Sequence, residues 1–350
     1  MANSKLSLSN NDKMTIISNF ATLLSAGISI LEAIDSLLED AKGNPKKLLE
    51  TLRADLVQGN HVYATFSKFP MIFDKVTVNI IKASEEAGTL DITLKDLKQN
   101  IQKDMEFTDK IKSALTYPIV ILFVFIGVLL TMLVVVIPKI SSVFSRLNVP
   151  LPLPTKFLIF LSSTLLNYTI PVILGIAILA ILLSFLYKAN KGLILGLLFS
   201  IPIVSGLIKE IDLTRFSRSL YLLLNAGIPI VSALDLTQDV VMRRDLQQVI
   251  LDCKTEVLSG KRLSDGLRHH KGTTPSIMVK IIEAGEKSGS LDKSALEVSE
   301  YFDYQVTNRL RTVTALLEPI MLVFTGVLVG GMMLAIIAPI YGLIGQVGQH

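Results

Sequence analysis

Ser113–Pro138 is a run of 26 residues without a charge, its body almost wholly Ile, Leu, Val and Phe. At ~1.5 Å per residue, about 20 such residues cross a bilayer core, so this run predicts a transmembrane helix. Later in the chain a second run of the same kind occupies Ala315–Ile344. Tyr117-Pro118 at the start of the first is answered by Glu318-Pro319 at the start of the second. Pro138 is answered by Pro339, and both pairs are offset by 201. The chain therefore reads as two copies of one unit, each a polar helical region leading into a membrane helix.

Half of the 350 residues are hydrophobic and mean hydropathy is +0.54, but the charges are strongly segregated. Residues 1–112 carry 14 Lys/Arg and 15 Asp/Glu, and residues 188–318 carry 17 and 15. Each block is long enough to bury a core of its own. Balanced charge argues against nucleic-acid binding. The single cysteine, Cys253, excludes an internal disulfide framework and a cysteine metal site, and reads as a small buried apolar residue. Met1–Asn19 is polar and lacks the apolar core of a secretory signal, and Met1–Asn11 reads as a loose tail.

Turn chemistry repeats with the apolar runs. Phe20–Ala26 leads to Gly27, and a new helix begins at the Ser29–Glu32 capping box. In the second copy Gly227 holds the same place, with Pro229 where a first-turn proline is preorganised for helix. Asn44-Pro45 predicts a turn, followed by a helix to about Gln58. The offset is 200 at Gly27/Gly227 and 201 from Gly59/Gly260 onward, so one residue was inserted between them. Ala83–Asp91, ASEEAGTLD, then echoes Ala284–Asp292, AGEKSGSLD. Gly88 and Gly289 read as helix C-caps, Thr89 and Ser290 as caps of the next helix, and Asp91 and Asp292 fall in its first turn. In that last helix Leu90, Leu94, Leu97, Ile101, Met105, Thr108 and Ile111 recur every three or four residues. Leu291, Ala295, Val298, Phe302, Val306, Leu310 and Val313 do so in the second copy. No break separates either helix from its apolar run, so each is expected to continue into the bilayer. Sustained alternation of period two is absent, and no sheet is expected.

The resulting plan is all-α. Residues 1–112 form a first helical domain, 113–138 a first span, and 139–156 an external loop stiffened by Pro150, Pro152 and Pro154. A second span covers 157–187. Residues 188–314 form the second helical domain, with 192–208 lying along the interface because its apolar run is short and broken by Pro202. A third span covers 315–345. Lys and Arg gather on the domain side of the spans, which puts both domains in the cytoplasm and the C-terminus outside. Two domain-plus-span copies in one orientation need one extra crossing between them, which the second span supplies. This makes them parallel repeats.

Signatures of chemistry are missing. The histidines lack metal-ligand spacing, and His269-His270 reads as a solvated pair. No phosphate-binding loop, dinucleotide fingerprint or nucleophile elbow occurs, so a nucleotide site or a serine nucleophile has no support and no cofactor is expected. The spans hold no ionisable group at midplane depth, which argues against transport by this chain alone. Two features remain as candidates. Glu85, Glu86 and Asp91, with Glu286 and Asp292, form acidic clusters beside the Gly88 and Gly289 corners, either capping helix ends or offering docking points to a partner. Gly326 and Gly330 form a GxxxG pattern in the third span, suited to close helix packing within the chain or between protomers.

These features together, LLSAGISILEAI and LLNAGIPIVSAL, EEAGTLD and GEKSGSLD, the Tyr-Pro and Glu-Pro pairs, and VIPKISSVFSRLNVPLPLPT, resemble one family over nearly the whole chain. It is the inner-membrane platform protein of bacterial type II secretion systems and type IV pili. The resemblance implies two cytoplasmic six-helix-bundle domains and a non-enzymatic role. It implies contact with a cytoplasmic assembly ATPase, with pilin or pseudopilin subunits, with other inner-membrane assembly proteins and lipid, and self-association into a homo-oligomer. Ser84-Glu85-Glu86 departs from the Gly-Glu-Lys of the second copy. A transporter or permease subunit with parallel repeats is the alternative that the repeat architecture allows, and a scaffold or receptor outside secretion is a third.

Overall fold

The computed structural model describes residues 6–146, 153–168, 171, 174 and 202–347. Among these, every regular element is helical. In chain order they are α1 (Asn10–Ser25), α2 (Ile30–Asp40), α3 (Gly43–Val57), α4 (Val62–Ser67), α5 (Lys75–Glu86) and α6 (Leu90–Thr131). A π-helical turn, Met132–Val136, leads into α7 (Ile137–Arg146), followed by α8 (Leu153–Asn167). The second copy supplies α9 (Pro202–Asn225), α10 (Ile230–Thr237), α11 (Arg244–Leu258), α12 (Leu263–His269), α13 (Ser276–Ser288) and α14 (Leu291–Val347). The chain divides into two compact units. One comprises Met1–Lys110 with Gly206–Thr307, the other Ile111–Ser205 with Asn308–His350.

In the first unit two apolar clusters form. Ile17, Phe20, Ile34, Leu48, Leu52 and Phe66 lie at the centre of one, and Leu213, Phe216, Leu234, Ile250, Met278 and Val298 at the centre of the other. The second cluster is not built from its own copy alone, because Val76 and Ile80 of α5 are buried in it. The two polar regions are thus packed into one body. Helix starts follow local chemistry: Ser29 Oγ accepts the Glu32 N–H at 3.3 Å, and Asp74 Oδ1 accepts the Thr77 N–H at 2.7 Å. Two starts differ from expectation by a residue or two. Asn44-Pro45 is not a turn before α3 but lies in its first turn, where a missing N–H costs nothing. Pro229 sits just before α10 rather than inside it.

The predicted stripe on α14 is buried from Ala295 through Leu310. On α6 it is buried only through Leu97. Met105 and Thr108 are half-exposed, and the buried residue there is Phe107, one position off the stripe.

In the second unit, α6 and α14 each contain a segment long and apolar enough to cross a membrane. The first helix was expected to end at Pro138, with a loop over 139–156. Instead the chain remains helical to Arg146 and is helical again from Leu153. The π turn makes this possible. Ile137 donates its N–H to the Met132 carbonyl, and Pro138 has no N–H to give, so the Leu133 carbonyl is left without a main-chain donor. Ser162 of α8 supplies one, its Oγ donating to Leu133 O at 2.6 Å in a buried contact. Only 157–168, 171 and 174 of the second span, and 202–208 of the 192–208 segment, are described. The latter residues open α9, and the rest of both segments lies outside the described residues.

Candidate functional site

The two acidic corners are built alike. At each, a glycine in the left-handed region turns the chain, Gly88 at φ 68° and Gly289 at φ 70°. The N–H of the residue after each glycine is returned to the helix, Thr89 to Ser84 O and Ser290 to Gly285 O, both at 2.9 Å. Gly27 and Gly227 make the corresponding turn before α2 and α10, at φ 80° and 76°.

This turn aims a carboxylate back across the fold. Glu85 Oε1 accepts the Val62 N–H at 3.0 Å and Oε2 the Tyr63 N–H at 3.2 Å, which caps α4. Glu286 accepts from Leu263 at 2.6 Å and Ser264 at 3.2 Å, capping α12 in the same way. Their partners lie 22 and 23 residues away, so each carboxylate ties the end of one helix to the start of another. His61 Nδ1 adds a contact of 3.2 Å to Glu85. The Glu85 side chain is 13% exposed and already engaged. Glu86 is exposed, 4.0 Å from Lys82, and Asp91 and Asp292 lie half-buried in the first turns of α6 and α14. Of the five acidic candidates, Glu86 alone presents an exposed carboxylate.

Sequence reasoning missed the seam between the copies. Asp303 on α14 lies 3.4 Å from Lys110 of the first copy and 3.5 Å from Arg218 of the second. The Arg218 guanidinium stands 5.5 Å over the buried ring of Phe107. Lys75 pairs with Asp239 at 2.5 Å and Lys103 with Glu300 at 3.8 Å, both on the surface. A cleft of about 280 Å³ opens beside this seam. Within it Lys13 lies between Asp74 and Asp104, and burial holds its ammonium pKa below the usual lysine value despite those two carboxylates. Asp212 was missed too. It is fully buried and accepts the N–H groups of Met242 and Arg243 ahead of α11, while burial raises its pKa. No motif marks such residues, because the signal is an acidic residue within an apolar helical face.

Gly326 and Gly330 have no close neighbour: a Cβ built on either would meet nothing within 4 Å. Packing against another described helix of the same chain therefore does not use them. Among the described residues no three His, Cys, Asp or Glu side chains converge as a metal site would require. His269 is exposed, 4.0 Å from Glu256, and His270 lies 3.1 Å from Asp252.

A helical chain with a duplicated polar region and two long helices ending in apolar segments is thus in hand, and comparison with known families assigns it. The profile of the family "Type II secretion system (T2SS), protein F" matches twice, over residues 16–138 and 216–339, and the chain belongs to that family. The two matches carry the 200- and 201-residue offsets of the repeat. Among relatives, the type IV pilus assembly protein PilC of Thermus thermophilus is 31% identical, over 93% of this chain and 80% of that protein. PilC of Pseudomonas aeruginosa is 29% identical, over 94% and 88%. The type II secretion system protein F of the same organism is 27% identical, over 97% and 85%.

Proposed function

We propose that this chain is the inner-membrane platform of a type IV pilus or type II secretion machine. It couples a cytoplasmic assembly ATPase to the extraction of pilin-like subunits from the bilayer and their addition to a filament. On this reading α1–α6 and α9–α14 supply two six-helix domains in the cytoplasm, three spans cross the membrane, and the C-terminus lies outside. The role is mechanical, and no bond is made or broken by the chain. Family membership supports the class of machine. The observation that carries the mechanism is helix continuity: α6 and α14 start among the polar helices and run 42 and 57 residues into apolar sequence without a break. A continuous helix transmits a displacement at one end to the other, whereas a flexible joint dissipates it.

Asp109→Pro or Thr307→Pro removes a main-chain hydrogen bond and kinks the helix between its two parts. Filament assembly or secretion should be lost while capture of the ATPase by the tagged full-length chain persists. Normal assembly in both variants refutes the lever. Crosslinking in native membranes followed by mass spectrometry tests the partners. An assembly ATPase together with pilin-like subunits is expected, and a solute-binding protein with a transport ATPase would overturn the assignment.

A further inference from the structure

The apolar parts of α6 and α14 do not simply lie side by side. Within the second unit they line a common groove of about 450 Å³, almost wholly apolar. Its lining follows the internal repeat. Tyr117 and Glu318 are equivalent positions, as are Ile121 and Leu322, and Val124 and Thr325, each pair offset by 201, and all six line the groove. Each helix thus presents positions i, i+4 and i+7, the face a helix offers to a neighbouring helix. From Tyr117 to Val128 the lining on α6 covers 12 residues, an axial length of about 16 Å at the helical rise of ~1.5 Å per residue. Phe125 and Phe324, 5.1 Å apart, bring the two helices together beside it.

Equivalence fails at one end. There the first copy has a tyrosine and the second a glutamate, exposed and with no ion-pair partner among the described residues. Glu318 is also the one acidic residue between Arg311 and Val347, and the apolar run of the first copy has none. An exposed carboxylate at one end of an apolar groove is the electrostatic complement of a cationic group on whatever helix fills it.

We infer that this groove is a receptor for a membrane-spanning helix of another protein. The guest's apolar face fills the Ile121–Leu322 and Val124–Thr325 stripe, and a Lys, Arg or free amine at its end pairs with Glu318. Specificity comes from the charge, because the stripe accepts any apolar helix face. The inference concerns what the apolar helices bind and holds whichever machine the chain serves.

The test uses the full-length chain in lipid nanodiscs of phosphatidylcholine with synthetic Leu/Ala helices carrying one photoreactive leucine. One peptide ends in two lysines, the other in two glutamates. Adducts of the lysine peptide are expected on Ile121, Val124 and Leu322, and not on Val323 or Val327, which lie outside the groove. Glu318→Gln should reduce these adducts roughly fivefold, the scale of one charge pair near a surface. Glu318→Lys should reverse the preference in favour of the glutamate peptide, a gain that a misfolded variant cannot produce. Adducts that are insensitive to both charges, or spread evenly around α14, overturn the inference. So does occupancy of the groove by lipid, by a second copy of the chain, or by the chain's own 157–187 segment, read as adducts of photoreactive leucine placed at position 322.

Discussion

Ser162→Ala removes one oxygen atom, and the structure says what that atom does. The Leu133 carbonyl is buried and has lost its main-chain donor to the π turn and Pro138, so the serine hydroxyl at 2.6 Å is its partner. Leaving a buried carbonyl unpaired costs about 1–3 kcal/mol, and single hydrogen bonds inside membrane proteins run to roughly 0.6–1.7 kcal/mol. We therefore expect Ser162→Ala to destabilise the full-length protein by about 1–2 kcal/mol, read by denaturant titration in detergent. Ser162→Thr, which keeps the hydroxyl, should cost less. Pro138→Ala is the decisive partner, because it restores an N–H at position 138 and lets the helix satisfy its own carbonyls. In that background Ser162→Ala should be nearly silent, a coupling of about 1 kcal/mol in the double-mutant cycle. Strict additivity would refute the reasoning, since it would mean that Ser162 acts by packing rather than by answering the carbonyl that Pro138 strands.

Three further outcomes follow from the first unit. A Cβ on Gly285 would lie 2.2 Å from Ser294 Oγ and 2.5 Å from its Cβ, so Gly285→Ala should lower stability by about 1–3 kcal/mol in a thermal melt. Ser294→Gly should recover part of the loss, and a silent Gly285→Ala would contradict the close approach of α13 and α14. Glu286→Ala strips the caps from Leu263 and Ser264 and should cost about 1 kcal/mol, as should Glu85→Ala at α4. Hydrogen exchange should rise first in α12 and α4 respectively, and exchange unchanged there would contradict capping. Burial raises the Cys253 thiol from its ordinary value to about 12, so it stays protonated and unreactive toward maleimide at pH 8 until the fold opens. In the unfolded chain it ionises near its ordinary value, so its contribution to stability is intact below about pH 9 and is lost as pH rises toward 12. Rapid labelling of the native protein would contradict this burial.

The repeat was legible because core positions, glycine corners and helix caps impose local requirements that recur wherever the same helices form. Leu94 and Ala295, or Gly88 and Gly289, announce themselves by spacing alone. The seam was not legible, because it pairs residues far apart in the chain whose repeat equivalents do something else. Phe107 corresponds to Asn308, Arg218 to Ser18, and Asp303 to Gln102, so comparing the copies conceals the contact instead of exposing it. The corners were half legible. An acidic residue in the last turn of a helix looks the same whether it faces water or reaches a helix start 23 residues earlier, and only the fold separates Glu85 from Glu86. Pro138 misled for a related reason. A proline is a helix breaker when its orphaned carbonyl has no other donor, and the donor here stands 29 residues on from that carbonyl.

Divergence between the copies has a physical logic. Two identical units packed against each other by anything other than a self-complementary surface must present different faces at the contact, because each residue there meets a different environment from its equivalent. Val76 and Ile80 of the first copy enter the second core, and among the described residues none of the second copy lies in the first core, so the contact is of this directional kind. Where each copy packs on itself, the sequences stay parallel, down to the paired caps of Glu85 and Glu286. The same logic reads the groove of the apolar helices. Its stripe is apolar at nearly every equivalent position, as a shared lining requires, whereas Tyr117 and Glu318 differ where the groove meets its polar end. The inferred guest, with one charged end, accounts for that difference, and Glu318 is the residue that the inference assigns to it.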